Sequence, residues 1–106
     1  MFVGVLRIEC IIPISASLKD KRQAIRSLKD KLAWKFNVSV AEVGFQEKWQ
    51  RAAIGVAVVS GEEAHLQRSL NEISAFVREF PAIRVVSIHK EVLDEGSEAQ
   101  EDFGAL

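Results

Sequence analysis

The sequence predicts an α+β sandwich with the element order β-α-β-β-α-β. Residues 17–36, SLKDKRQAIRSLKDKLAWKF, carry apolar positions at steps of three, four and seven, the spacing of one long amphipathic helix. Four runs rich in β-branched residues, at 2–12, 38–45, 51–60 and 83–92, read as strands. A second helical stripe, Leu66, Leu70, Ile73 and Val77, separates the third run from the fourth. Helical connections of this kind suit right-handed crossovers. The expected result is a ferredoxin-like split βαβ fold, with both helices on one face of a four-stranded antiparallel sheet.

In the first strand Leu6, Ile8, Cys10 and Ile12 share one face, and Arg7 and Glu9 fall on the other. Pro13 ends it. Ser17 with Asp20 three positions later forms a capping box that starts the first helix. Leu18, Ile25, Leu28, Leu32 and Phe36 form its core stripe, and Asn37 stops it. In the run 38–45, Glu42 is expected to face solvent, which turns Ala41, Val43 and Phe45 towards the helices. Residues 46–50, QEKWQ, make a long hairpin loop. The next strand puts Ile54, Val56 and Val58 on one face and the small residues Ala53, Gly55 and Ala57 on the other. Ser60 is expected to cap the second helix, with acids in its first turn and Phe76 beside its stripe. Phe80-Pro81 closes that helix. The last strand should turn Val86 and Ile88 inwards.

The chain has 106 residues, enough for one domain with one core. No apolar run approaches the ~20 residues of a membrane helix. The first residues lack the layout of a secretory signal. The expected location is the cytoplasm. Cys10 has no disulfide partner, and it makes no metal-site spacing with His65 and His89. No metal, cofactor or small-molecule ligand is implied. With 14 bases and 15 acids in all, and six acids but no base after residue 90, residues 1–90 carry a net charge of +5. The domain is placed at residues 1–93. Residues 94–106 form an acidic tail whose composition predicts a solvated, disordered end.

The segment NVSVAEVGFQEKWQRAAIGVAVVS at 37–60, with the opening VGVLRIE and the SLKDKR that follows, resembles the YlxP-like family of bacterial domains of unknown function. The likeness covers about residues 1–93. It implies a ferredoxin-like fold in a small cytoplasmic bacterial protein. Family genes often lie beside translation and ribosome-maturation genes, which points to RNA or the ribosome as partner. The family supplies no catalytic residues to carry over.

On the first helix Lys19, Arg22, Arg26 and Lys29 form a row beside the core stripe, and Lys21, Lys31 and Lys35 fall on the opposite flank. Bases in the first turns of a helix oppose its dipole at a cost of a few tenths of a kcal/mol each. Phosphate binding is one reason to place them there. Solvated lysine and arginine stems covering the core edge are the other. Trp34 is expected to be exposed. Trp49, between Lys48 and Arg51 in the hairpin loop, could fold back on its domain, anchor an interface or stack on a base. RNA-recognition motifs stack bases on aromatics of the open sheet face. Here that face shows Val5, Arg7, Glu9, Ala53, Gly55 and Ala57, which argues against that mode. With Val3, Val5, Ala53 and Ala57 exposed, the face is instead a candidate interface for a homodimer.

An enzyme is the weakest reading. Acylphosphatases share the fold, but their phosphate loop holds glycine and arginine, and the matching loop here is IPISAS. No nucleophile–base order or nucleotide loop stands out. Cys10 reads as core packing, His65 and His89 as surface residues. The functional expectation is a non-enzymatic binding protein near RNA or the ribosome. It would use Lys19, Arg22, Arg26 and Lys29, assisted by Lys48, Trp49 and Arg51. The alternative is a dimeric interaction module built on the open sheet.

Overall fold

The computed structural model describes residues 1–96. Its elements are β1 (Phe2–Ile11), α1 (Leu18–Lys35), β2 (Ser39–Gly44), β3 (Arg51–Ser60), α2 (Glu63–Arg78) and β4 (Arg84–Asp94). The strands form one antiparallel sheet of order β2-β3-β1-β4, so β2 and β4 are the edges. Both helices pack on one face, as the ferredoxin-like topology requires. The acidic residues from 97 onward lie outside the described residues.

The long apolar runs take the centre of the sheet. Leu6, Ile8 and Cys10 of β1 with Ile54, Val56 and Val58 of β3 are buried against Ile25, Leu28 and Leu32 of α1. Leu66, Leu70, Ile73 and Val77 of α2 complete the core. Ser17 caps α1 as its sequence requires. Its side chain accepts from the Asp20 N–H at 3.1 Å, and the Asp20 carboxylate accepts from the Ala16 N–H at 3.0 Å. Gly4 is a close-approach site. A Cβ there would stand 2.7 Å from Leu70 Cδ1 and 3.0 Å from Leu66 Cδ1. Gly4→Val should therefore push α2 off the sheet and lower stability by about 1–3 kcal/mol in urea unfolding. An unchanged midpoint would mean that α2 can slide without cost.

Four sequence expectations are corrected. In β2, Val40 and Glu42 face the helices, and Ala41 and Val43 face out. Val43 is bulged between Glu42 and Gly44 in the β3 register, and Phe45 leaves the strand with a positive φ of 58°. In β4 a register shift opposite Glu9 and Cys10 turns Val86 outwards, while Val85 and Ile88 pack inwards. Glu62, not Ser60, is the N-cap position of α2. The Ser60 hydroxyl accepts from the Glu62 N–H at 3.1 Å, one step short of the helix. Ala53 is fully buried, although it lies on the open face. Its neighbour across the sheet is Gly44, where a Cβ would meet both Ala53 and the Arg7 guanidinium, so Arg7 reaches over this spot and covers it.

Candidate nucleic-acid interface

The largest departure from expectation is Lys21. Its side chain is 1% exposed and sits within the core stripe of α1 between Leu18 and Ile25. The ammonium donates to the carbonyls of Phe45 at 2.8 Å, Gln46 at 3.1 Å and Arg51 at 3.3 Å. It also lies 2.9 Å from the Glu42 carboxylate. A buried lysine needs such a shell, because an unpaired ammonium out of water is costly. Glu42 faces inwards because Lys21 is there to meet it. The left-handed backbone at Phe45 belongs to the same turn that offers its carbonyl to Lys21. The result is a bolt that fastens the 45–51 hairpin to the first turns of α1. Gln50 adds a second tie, donating to the carbonyls of Ser15 at 2.9 Å and Pro13 at 3.3 Å. The signal for this lies in the helical spacing. The stripe 18-25-28-32 leaves one gap, and position 21 fills it.

With Lys21 gone from the opposite flank, Lys31 and Lys35 remain there, and both are engaged. Lys31 lies 5.3 Å over the Phe80 ring, and Lys35 lies 5.2 Å over Phe76 and 5.8 Å over Phe36. Phe36 and Phe76 meet edge to face at 6.1 Å. These two lysines close the aromatic seam between α1 and α2.

The row Lys19, Arg22, Arg26 and Lys29 behaves differently. All four are exposed, and among the described residues none of them joins an ion pair. Arg22, Arg26 and Lys29 line a shallow groove of about 430 Å³ with Ile25, Asp30 and Glu42. The groove runs between α1 and the edge strand β2. Its one inward carboxylate, Glu42, is already matched by Lys21. Lys19 is one turn nearer the helix start and is not among the groove residues.

Lys48 and Trp49 are exposed in the hairpin loop, where Trp49 is 56% accessible. The Lys21 bolt holds this loop at the N-terminal half of α1, the end where the basic row begins. Arg51 is placed apart from that row. It lies on the open sheet face, 4.2 Å from the Phe45 ring centroid, with its guanidinium 3.8 Å from Glu9. Arg7 reaches the same carboxylate group at 3.6 Å. Trp34 is 90% exposed on the solvent side of α1, as its helical position implies. On the open face Val3, Val5 and Gly55 are half-buried and Ala57 is exposed.

The groups weighed for catalysis have structural surroundings. The Ser15 hydroxyl donates to the Ser17 carbonyl at 3.0 Å and is buried. Burial and the negative Glu42 push the Cys10 thiol up to about 11, with Lys21 pulling it partly back. Cys10 is therefore a neutral core thiol at ordinary pH. His65 and His89 are exposed on α2 and β4. Among the described residues no three His, Cys, Asp or Glu side chains gather into a metal-binding group, and no helix is long and apolar enough to cross a membrane.

Residues 3–90 match the family described as Protein of unknown function (DUF503). The chain belongs to this family. Its relatives include the Uncharacterized protein YlxP of Bacillus subtilis (strain 168), 38% identical over 81 residues, which are 76% of this chain and 88% of that protein. Among solved structures, the De novo designed protein Foldit4 superposes with a TM-score of 0.51 at 9% identity, covering 90% of this chain and 99% of that one. That likeness concerns the fold alone. The family match takes in the whole of α1 and the 45–51 hairpin, so the basic row and the Lys21 bolt lie inside the DUF503 region.

Proposed function

We propose that this DUF503 protein is a non-enzymatic, cytoplasmic RNA-binding protein, acting at the ribosome or on structured RNA. The observation that carries the reading is the α1 row: four exposed cations at helical spacing, none ion-paired among the described residues. Three of them share one groove. The remaining lysines of α1 are occupied, by carbonyls and a carboxylate at Lys21 and by phenylalanine rings at Lys31 and Lys35. Free cations spaced along a helix suit the repeating phosphates of a nucleic-acid backbone. Lys19, Arg22, Arg26 and Lys29 would contact phosphates. Lys48 would extend the basic surface onto the hairpin, and Trp49 would stack on an unpaired base. Arg51, tied to Glu9 and Phe45, would support the hairpin rather than bind phosphate.

Trp49 makes the reading testable by fluorescence. In Trp34→Phe protein the remaining tryptophan reports on the hairpin alone. Adding a structured RNA at low salt should quench its emission to saturation, and raising the salt should reverse the quench. Emission that stays constant while RNA binds would remove Trp49 from the site. Absence of binding in any assay would remove the proposed function.

A further inference from the structure

We infer that two copies of this chain pair through their open sheet faces, about a two-fold axis that runs along the strands between β1 and β3. The face opposite the helices is covered by no element among the described residues. The sheet register orders its side chains in rows. Val59, Val3 and Leu93 form one row across β3, β1 and β4, and Ser39, Ala57, Val5 and Glu91 form the next, apolar at its centre and polar at both edge strands. Val59 is 57% exposed and Leu93 43%. At the other end of the face Arg7 and Arg51 both reach Glu9, which gathers these three charges into one cluster with a single cation in excess. A polyanion finds little free cation here. A second copy of the same face lays its small Ala53 and Gly55 over Glu9 and Arg7, so the cluster keeps its internal pairs, and its partial desolvation is a cost that weakens the dimer.

The columns make the face complementary to itself. On β3 the outward residues Ala53, Gly55 and Ala57 are all small, and on β1 their register partners Glu9, Arg7 and Val5 are all larger. The face is therefore a trough beside a ridge. Rotation about an axis along the strands lays β3 of one copy over β1 of the other, ridge into trough, keeps the apolar centres of the rows together, and sets Glu91 of the edge strand β4 at the rim over Ser39 of β2. Val59 then meets Val3 of the second copy, and Ala57 meets its Val5. An axis across the strands would instead set the apolar row over the charged one. Four strands about 4.8 Å apart and some seven residues long give a flat area of roughly 400–450 Å² per copy, below the ~800 Å² of a standard interface. The dimer should therefore be a weak one, with a dissociation constant in the micromolar range.

Sedimentation equilibrium of the full chain from about 1 to 300 μM spans that range. The expected result is a monomer–dimer equilibrium that changes little with salt, since the contact is mainly apolar. Val59→Lys, at a well-exposed position, should give a monomer throughout with an unchanged thermal melt. Val3→Glu should also be monomeric. Mixing it with the Val59→Lys protein should restore a heterodimer, because the introduced lysine of one copy would face the introduced glutamate of the other. Should Val3→Glu not fold, Leu93→Ser replaces it and should weaken the dimer severalfold. A wild-type monomer at every concentration would overturn the inference, leaving the face bare or open to a different protein. A dimer that survives Val59→Lys would overturn it equally, since another surface would then be responsible.

Discussion

Lys21→Met should lower the unfolding free energy by about 3–5 kcal/mol, the cost of breaking a buried ion pair from one side. Methionine fits the space of the lysine stem but supplies no donor. The Glu42 carboxylate loses its cation, and the carbonyls of Phe45, Gln46 and Arg51 lose the hydrogen bonds that Lys21 gave them. These acceptors are part-buried, so each orphaned one costs at most the roughly 1–3 kcal/mol of a fully buried group. Water entering the turn offsets part of this, which keeps the total within the stated range. The left-handed Phe45 conformation, which costs about 1–3 kcal/mol to hold, then has less to hold it. The hairpin should loosen as well as the whole fold weaken. Urea unfolding of wild type, Lys21→Met and the double variant Lys21→Met/Glu42→Leu checks this. The double variant should recover part of the loss, because it strands no carboxylate. A single variant within about 1 kcal/mol of wild type would show that Lys21 is an ordinary solvated lysine stem.

Much of the architecture is legible in the sequence because it rests on long, regular patterns. The α1 stripe with its Ser17 cap and the α2 stripe are of this kind, and the topology follows from the element order. The positions that come out differently share a cause. In the run VSVAEVGF apolar residues stand at both parities, so alternation cannot choose a face. A carboxylate ordinarily belongs in solvent, which sends Glu42 outwards on sequence grounds. Lys21, on a different element, makes the opposite choice, because its partner has to be inside. Val86 departs from expectation because a bulge in VVSI leaves no mark on the sequence. Parity alone makes Ala53 exposed, whereas Arg7 reaching across from β1 covers it. The candidate site divides the same way. The basic row shows in the helical spacing of Lys19, Arg22, Arg26 and Lys29. The groove depends on where β2 lies, and the separation of Arg51 from the row depends on which sheet face it occupies.

The combined change Lys19→Gln, Arg22→Gln and Arg26→Gln should weaken RNA binding by about 10- to 100-fold at low salt. Each lost phosphate contact at an exposed site is worth a fraction of a kcal/mol to about 1 kcal/mol, and three such losses at separate positions sum to that range. Stability should hardly move. The three side chains are exposed, none is ion-paired among the described residues, and removing bases from the first turns of α1 relieves their opposition to its dipole. That combination separates a binding role from a structural one. Solvated stems would leave affinity unchanged, whereas a misfolded variant would lose its melting transition along with its affinity. The Lys31 and Lys35 cations, engaged with aromatic rings, serve as the control. Neutralising them should disturb the α1–α2 seam more than RNA affinity.

If the free cations on α1 meet phosphates, the salt dependence of binding shows it most directly. The full chain is titrated with a structured ribosomal RNA fragment across a series of salt concentrations, beside the triple variant. With about four phosphate contacts, log affinity should fall against log salt with a slope near −3, and the slope of the variant should be nearer −1. A wild-type slope close to zero, or equal slopes for the two proteins, would contradict the assignment of phosphate contacts to the α1 row.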